Sequence, residues 1–195
     1  PQALVVRGSK LRDLRYGENP HQPATWYALD PPAGLGAPAV LQGKELSFTN
    51  LLDLDAAARI VLEFAEPAAS VIKHTNPCGA AVGPDVVAAF ERARASDPVS
   101  IYGGIVGVNR PVDLRLVRAL AGVLLEILVA PAFEADALEE LRQTKKKLRV
   151  METPPEPAAG AAPALELRSV ASGLLVQEPD LADLDDVPGA ACRVV

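Results

Sequence analysis

The chain has 195 residues, of which 49% are hydrophobic, so it can bury a substantial core as one domain or two small ones. Its formal net charge of −6 argues against a nucleic-acid-binding surface, and its apolar runs are too short and too interrupted to cross a membrane. The two cysteines do not make a disulfide framework and no secretory signal is recognisable, so we expect a cytoplasmic protein.

The first part of the chain predicts a loop region followed by a helix. Residues 1–23 are polar and rich in turn-forming residues, and residues 16–20 favour an irregular loop of the kind that often carries binding groups. Farther along, apolar residues recur at helical spacing after Thr49 or Asn50, either of which can serve as the N-cap. We expect this helix to end near residue 65.

Short apolar runs alternate with segments of helical periodicity along most of the chain. In chain order the predicted elements are a strand (25–29), a turn (31–38), the helix above, a strand (68–72), a helix (84–96), a strand (101–108), a helix (112–121), a strand (124–130) and a helix (133–147). Pro84 is expected at the first helical position of its helix, with Asp85 in the first turn. The alternation predicts an α/β fold with helices on both faces of a sheet.

The C-terminal part of the chain predicts a linker and a hairpin. Residues 153–163 are rich in Pro and Ala, which favours an exposed linker. Two short strands are expected after it, over residues 165–170 and 173–177.

Lys73 and His74 are the strongest candidates for chemistry, because they directly follow the strand predicted over 68–72. We expect them at the carboxyl end of a parallel strand, where open α/β sheets bind ligands. An isolated pair of this kind is more often a rim lysine and a locally satisfied histidine. Here Asn76-Pro77 predicts a turn, and Gly79 permits close approach of the backbone to a ligand. An imidazole can accept a proton near neutral pH, and a neighbouring ammonium can stabilise charge that develops on a substrate oxygen.

Three further positions are candidate binding residues, each with a structural alternative. Arg15, in Arg15-Tyr16-Gly17, can bind an anion through its planar fork of donors, or it can be a solvated surface side chain. Gly103 belongs to a double glycine that either kinks a strand or exposes backbone amides to a ligand. Glu126 lies inside a predicted buried strand, so its carboxylate must be paired or must face a cavity.

Metal and nucleotide-cofactor motifs are not found in the sequence. Cys78 follows a proline, but no second cysteine lies two residues on and no His-x-Glu precedes it, so the zinc-deaminase pattern is missing. Neither a phosphate-cradling Gly-x-x-x-x-Gly-Lys loop nor a dinucleotide Gly-x-Gly-x-x-Gly fingerprint occurs. We therefore expect no metal site.

Four sequence blocks occur in a set order: RYGENPHQ from Arg15, GKELSFTNLLD from Gly43, KHTNPCGAA from Lys73 and YGG from Tyr102. Together they resemble the transformylase domain of the bifunctional purine biosynthesis family, which combines AICAR formyltransferase with IMP cyclohydrolase. The resemblance implies a cytidine-deaminase-like three-layer α-β-α fold with a mixed sheet. It further implies that residues 1–195 form the first half of that domain, with a substrate-binding N-terminal loop over 1–23. The cyclohydrolase domain and the second half would lie outside the chain.

The resemblance also implies a reaction, in which a formyl group moves from 10-formyltetrahydrofolate to the 5-amine of AICAR and gives FAICAR. The folate is a co-substrate, so no bound cofactor is implied, and a homodimer is expected because the family's sites lie at a subunit interface. The matching positions are His74 as proton acceptor, Lys73 as the neighbour that stabilises the transition state, Arg15 and Tyr16 as nucleotide-binding residues, Gly103 as a backbone contact and Glu126 as the acidic residue that holds the aminoimidazole.

Two other readings of the same residues remain open at this point. A non-catalytic module that binds purine nucleotides such as AICAR would keep the binding groups without turnover. A deaminase-like hydrolase is disfavoured because the zinc ligands are missing.

Overall fold

A computed structural model describes residues 3–30, 38–153 and 165–180. In chain order its elements are β1 (Gly8–Leu14), β2 (Ala24–Leu29), β3 (Ala39–Gln42), α1 (Phe48–Leu62), β4 (Ala68–Lys73), β5 (Asn76–Val82), α2 (Val86–Ser96), β6 (Gly104–Val108), α3 (Leu114–Ala119), β7 (Leu125–Ala130), α4 (Ala135–Thr144), β8 (Arg149–Glu152), β9 (Glu166–Val170) and β10 (Gly173–Gln177). The predicted turn at 31–38 and the predicted linker at 153–163 fall almost wholly outside the described residues.

A six-stranded mixed sheet forms the centre of the fold, in the order β3-β8-β7-β6-β4-β5. The three middle strands β6, β7 and β8 are parallel, whereas β4 and β5 form an antiparallel hairpin that joins β6 antiparallel through β4. At the other end β3 pairs antiparallel with β8. Two further pairs of strands, β1-β2 and β9-β10, form antiparallel two-stranded sheets that are separate from the six-stranded sheet.

Alternate residues of the central strands build one core on each face of the sheet, because successive side chains of a strand point to opposite faces. The core shared with α2, α3 and α4 takes Val71, Val106, Leu128 and Val150 from the strands. The core beneath α1 takes a sequence neighbour of each of these residues, whose side chain points to the opposite face of the sheet, namely Ile72, Ile105, Ile127 and Met151, with Leu54 and Ala57 from the helix. The predicted α/β fold, three-layered with a mixed sheet, is confirmed.

The orientation predicted for the strand before Lys73 is wrong. We expected a parallel strand, but β4 runs antiparallel to both of its neighbours, β5 and β6. A tight reversal directly after Lys73 sends the chain back along β4 as β5, and α2 then returns the chain so that β6 runs in the direction of β5 and therefore antiparallel to β4. As a result, the carboxyl end of β4 lies beside the amino ends of the parallel strands, where Ile72 pairs with Ile105.

Several element boundaries also differ from the predictions, mainly where a polar side chain caps a helix. Ser47, not Thr49 or Asn50, is the N-cap of α1, because its hydroxyl accepts the Asn50 N–H and the Asn50 side chain returns to the Ser47 N–H. Asp85 caps α2 by accepting the Ala88 N–H at 2.9 Å, so Pro84 lies outside that helix. The strands β1, β3, β5 and β8 were not predicted, whereas the hairpin of β9 and β10 is confirmed.

Gly79 is a packing residue in this fold, which corrects the expectation that it admits a ligand. It is buried in β5, and a Cβ atom built on it would lie 2.0 Å from the carbonyl oxygen of Ala93 in α2. The strand and the helix can therefore approach this closely only because residue 79 has no side chain.

We predict that Gly79→Ala lowers the free energy of unfolding by about 1–3 kcal/mol or more, because a methyl group must push a helix backbone aside. Chemical denaturation measures the loss. Ala80→Ser, at the exposed neighbouring position in β5, is the matched control and should stay within about 0.5 kcal/mol of the parent. A Gly79→Ala protein as stable as this control would contradict the packing described above.

Candidate functional site

The Lys73-His74 pair lies at a two-residue reversal between β4 and β5. Lys73 and Asn76 are the last paired residues of the hairpin, so His74 and Thr75 alone make the turn. Their φ angles are +54° and +62°, the left-handed values that such hairpin turns require. The turn predicted at Asn76-Pro77 thus lies two residues earlier, and both of those residues belong to β5. The His74 side chain is exposed at the tip.

Four hydrogen bonds fix this turn, of which one is local: the Thr75 hydroxyl donates to the His74 carbonyl at 2.6 Å. The Asn76 side chain donates to the His74 carbonyl at 2.8 Å. The Thr75 N–H donates to the Asp53 carboxylate of α1 at 2.6 Å. The Lys73 ammonium reaches across to the segment before β6 and donates to the Tyr102 carbonyl at 2.5 Å. The backbone that carries the imidazole is therefore tied both to a helix and to the neighbouring strand.

Gly103 lies next to the Lys73 ammonium, directly before β6. Its φ of +71° is a value that L side chains rarely adopt, and a Cβ built on it would lie 3.8 Å from the Lys73 nitrogen. The sequence left two alternatives for the double glycine, a kink in a strand or backbone amides that are open to a ligand, and the amides are not open. Instead, the Gly103 N–H donates to the Leu124 carbonyl and the Gly104 N–H donates to the Ile101 carbonyl, both at 2.8 Å. Any backbone contact of Gly103 with a ligand would thus use its carbonyl oxygen.

Glu126 is paired, which answers the question raised by a carboxylate in a buried strand. Its Oε2 accepts a hydrogen bond from the Arg149 guanidinium at 2.6 Å. The Arg149 side chain is only 4% exposed, whereas that of Glu126 is 50% exposed. Arg149 also donates twice to the Glu45 carbonyl, at 3.0 and 2.7 Å. The buried guanidinium thus joins β7 and β8 to the loop before α1.

Arg15 and Tyr16 are attached to that same loop. The Arg15 N–H donates to the Leu46 carbonyl at 2.8 Å, and the Tyr16 carbonyl accepts from the Phe48 N–H at 3.0 Å. The Arg15 side chain is exposed, with its guanidinium carbon 5.3 Å from the centre of the Tyr16 ring. This is the distance of a cation–π contact, which leaves the outer donors of the guanidinium open to an anion.

The predicted site residues are therefore connected around one edge of the sheet. Lys73 and His74 at the end of β4, Gly103 before β6 and Glu126 near the start of β7 follow from neighbouring strand ends. Arg15 and Tyr16 come from outside the sheet and join through the loop before α1. The edge offers an exposed imidazole, an ammonium, a half-exposed carboxylate and an exposed guanidinium.

Cys78, in β5, is the only candidate nucleophilic thiol among the described residues, and its environment disfavours that role. Burial and the Asp97 carboxylate raise the pKa of the thiol, while the Lys73 ammonium opposes the rise only in part. The thiol is therefore neutral at neutral pH. In the same described ranges, no group of three or more His, Cys, Asp or Glu side chains is placed to hold a metal ion. Likewise, no helix there is long and apolar enough to cross a membrane.

The chain is similar to proteins of a known family over almost its whole length. The family model described as AICARFT/IMPCHase bienzyme matches residues 1–194. The chain belongs to this family.

Curated relatives are similar over nearly the whole chain. A protein named bifunctional purine biosynthesis protein PurH, from Magnetococcus marinus, is 45% identical over 199 residues, which cover 100% of this chain and 37% of that relative. The protein of the same name from Bacillus cereus strain G9842 is 49% identical over 189 residues, covering 95% of this chain and 36% of the relative. The chain thus spans little more than a third of the length of these relatives.

Among solved structures, form 1 of Acinetobacter baumannii RibD is 13% identical with a TM-score of 0.42, covering 51% of this chain and 35% of that one. A likeness of that size supports no conclusion about this protein.

Sequence reasoning missed two residues, Asp53 and Arg149, that contact the candidate site residues or the turn that carries them. Arg149 lies in the short strand β8, shortly after the three lysines 145–147, where it resembles one more cation at a helix end. Asp53 is one of several acidic residues in this part of the chain, and only the fold shows that it meets the β4–β5 turn. A signal was available for Asp53, because it closes the GKELSFTNLLD block that carries the resemblance.

The Arg149 contact makes Glu126 a structural residue as well as a candidate ligand. We predict that Glu126→Ala lowers the free energy of unfolding by about 1–3 kcal/mol, because it leaves a buried guanidinium donor unpaired. Glu126→Gln keeps an acceptor oxygen and should lose less, as measured by chemical denaturation. Glu139→Ala removes an exposed carboxylate 3.8 Å from Arg142 and serves as the control, with a change of no more than about 0.5 kcal/mol. Equal losses in the alanine variants at 126 and 139 would contradict a stabilising role for the Arg149 pair.

Proposed function

We propose that this chain is the first half of an AICAR transformylase domain and that, within a longer protein, it takes part in formyl transfer. The donor would be 10-formyltetrahydrofolate and the acceptor the 5-amine of AICAR, giving FAICAR in purine biosynthesis. The observation that carries the proposal is the Lys73-His74 turn, which lies on the same sheet edge as Gly103 and Glu126. Membership of the bienzyme family supports it.

The reaction requires a base and a cation that stabilises negative charge, and this edge of the sheet offers both. The AICAR amine is conjugated with its imidazole ring, so it is a weak nucleophile and must lose a proton as it attacks. His74, whose ring is exposed, accepts that proton. As the new C–N bond forms, negative charge builds on the formyl oxygen, and the Lys73 ammonium stabilises it with the donors that Tyr102 does not use. The bond from the formyl carbon to the folate nitrogen then breaks, the nitrogen keeps the electron pair and takes back the proton that His74 accepted, and tetrahydrofolate leaves.

The remaining candidates bind and orient the nucleotide in this proposal. Arg15 takes the anionic end, since its guanidinium is exposed and lies over the Tyr16 ring. Glu126 accepts hydrogen bonds from the aminoimidazole through the oxygen that does not bond Arg149. Gly103 contributes its carbonyl, because its N–H already bonds Leu124.

The proposal also covers the cofactors, the localisation and the partners of the protein. No resident cofactor or metal is needed, because the folate enters as a co-substrate. The working form would be a cytoplasmic homodimer without nucleic-acid or membrane partners, in which other parts of the longer protein complete the folate site. The exposed apolar side chains of β10, Leu174, Leu175 and Val176, offer a surface for such contacts.

The division of roles predicts different kinetic effects for two variants of the full-length protein. His74→Ala should lower kcat about 10²- to 10⁴-fold with little change in nucleotide affinity, because it removes the proton acceptor. Arg15→Ala should weaken AICAR binding about 10- to 100-fold, because it removes a charge-assisted contact with the ligand. Steady-state kinetics and calorimetric titration with AICAR measure the two effects.

Arg142→Ala is the matched control for the loss of an arginine, because Arg142 lies exposed on α4 and takes no part in the proposed site. It should leave both parameters unchanged. An equal loss of AICAR affinity in the His74 and Arg15 variants would contradict the separate roles, and full turnover in His74→Ala would overturn the proposed mechanism.

A further inference from the structure

We propose that Asp53 is a positioning residue for the Lys73-His74 pair, acting through the hydrogen bond that its carboxylate accepts from the Thr75 N–H. This inference rests on the proposed function, because it assigns a role only if His74 is the proton acceptor. Asp53 itself touches the turn backbone and not the reacting atoms.

The turn needs an external support because its own residues disfavour its conformation. Both central residues have left-handed φ angles, and neither is Gly, Asn or Asp. Such turns are usually made by Asn-Gly or Asp-Gly, which adopt these angles at little cost. Thr75 is β-branched, and a branched residue with a φ of +62° is an outlier among protein backbones. Strain of this kind persists only where the surrounding structure enforces it.

Asp53 is well placed to enforce the turn because the helix that carries it is rigidly anchored. The N-terminus of α1 is closed by the reciprocal hydrogen bonds of Ser47 and Asn50. The residue after Asp53, Leu54, is 4% exposed and packs in the core beneath the helix. The carboxylate therefore meets the turn from a fixed position, and its 2.6 Å contact with the Thr75 N–H is charge-assisted and short.

The position of the His74 ring depends on this backbone contact because no polar contact of the described residues holds the ring itself. Among the described residues, no hydrogen bond or ion pair reaches the imidazole, and the bonds at this turn use the His74 carbonyl and the Thr75 N–H. The peptide between the two residues thus sets where the ring points. A displacement of about 1 Å in a reacting group can cost about 100-fold in rate.

The test compares variants of Asp53 in the full-length protein. Asp53→Ala should lower kcat about 10- to 100-fold while the KM for AICAR changes less than about 3-fold, because the turn loses its support but the nucleotide contacts stay. Asp53→Asn should keep most of the activity, because its amide oxygen accepts the same N–H. Asp55→Ala is the matched control, since Asp55 lies two residues on and pairs with Arg59 on the exposed face of α1. It should match the parent.

A glycine at position 75 provides an independent test, because it adopts the left-handed conformation without strain. In a Thr75→Gly background, Asp53→Ala should cause a much smaller loss of kcat than it does in the parent. Hydrogen exchange of the residue 75 amide supplies a readout that does not depend on activity. Exchange should be slow in the parent and in Asp53→Asn, and at least about 10-fold faster in Asp53→Ala.

The outcomes separate this inference from the function on which it rests. Full turnover in His74→Ala would overturn the proposed function. If His74→Ala abolishes turnover but Asp53→Ala keeps its kcat, or if Asp53→Ala causes equal losses in the parent and in the Thr75→Gly background, the positioning role alone is overturned. The same holds if Asp53→Asn loses as much as Asp53→Ala, or if exchange of the residue 75 amide does not respond to Asp53.

Discussion

The arrangement of the candidate site depends on a reversal of the chain in two residues, His74 and Thr75. Because the reversal is so tight, β4 and β5 form one antiparallel hairpin, and β4 lies antiparallel beside the parallel strands. The end of β4 then meets the beginnings of β6 and β7, which brings the Lys73 ammonium to the Tyr102 carbonyl. A longer connection would relax the left-handed backbone at His74 but would also release the imidazole from this edge.

A second group that organises the candidate site is the buried Arg149 guanidinium, whose donors are hydrogen-bonded to two different segments of the chain. It bonds the Glu126 carboxylate in the neighbouring strand and the Glu45 carbonyl in the loop before α1. The next residue of that loop, Leu46, accepts the Arg15 N–H. One buried cation thus links the acidic and the basic candidate ligands through a continuous set of contacts. A buried charge of this kind is tolerated only when its donors are paired. The Arg149 guanidinium therefore holds the Glu126 carboxylate and the Glu45 carbonyl in fixed positions.

The sequence predicts the layers of this fold better than its connections. The apolar runs that become β4 and β7 are visible because their buried residues are nearly contiguous. In contrast, β5 contains Pro77 and Gly79, which are depleted in strands and are tolerated here because β5 is an edge strand packed closely on α2. The candidate role of Lys73 and His74 stays a prediction from residue types and the family resemblance. The partnerships of Asp53 and Arg149 could not be predicted, because each depends on which elements become neighbours.

The candidate groups are exposed to solvent, which limits what they can do for catalysis within this chain alone. Glu126 is half exposed, and the side chains of His74 and Arg15 face solvent in the described part of the chain. In water an ammonium such as that of Lys73 stabilises a developing oxyanion only weakly, because the high dielectric constant screens the interaction. The proposed formyl transfer therefore requires a further surface that closes over this edge and excludes water. Since the curated relatives extend well beyond the length of this chain, the remainder of such a protein or a second subunit would supply that surface.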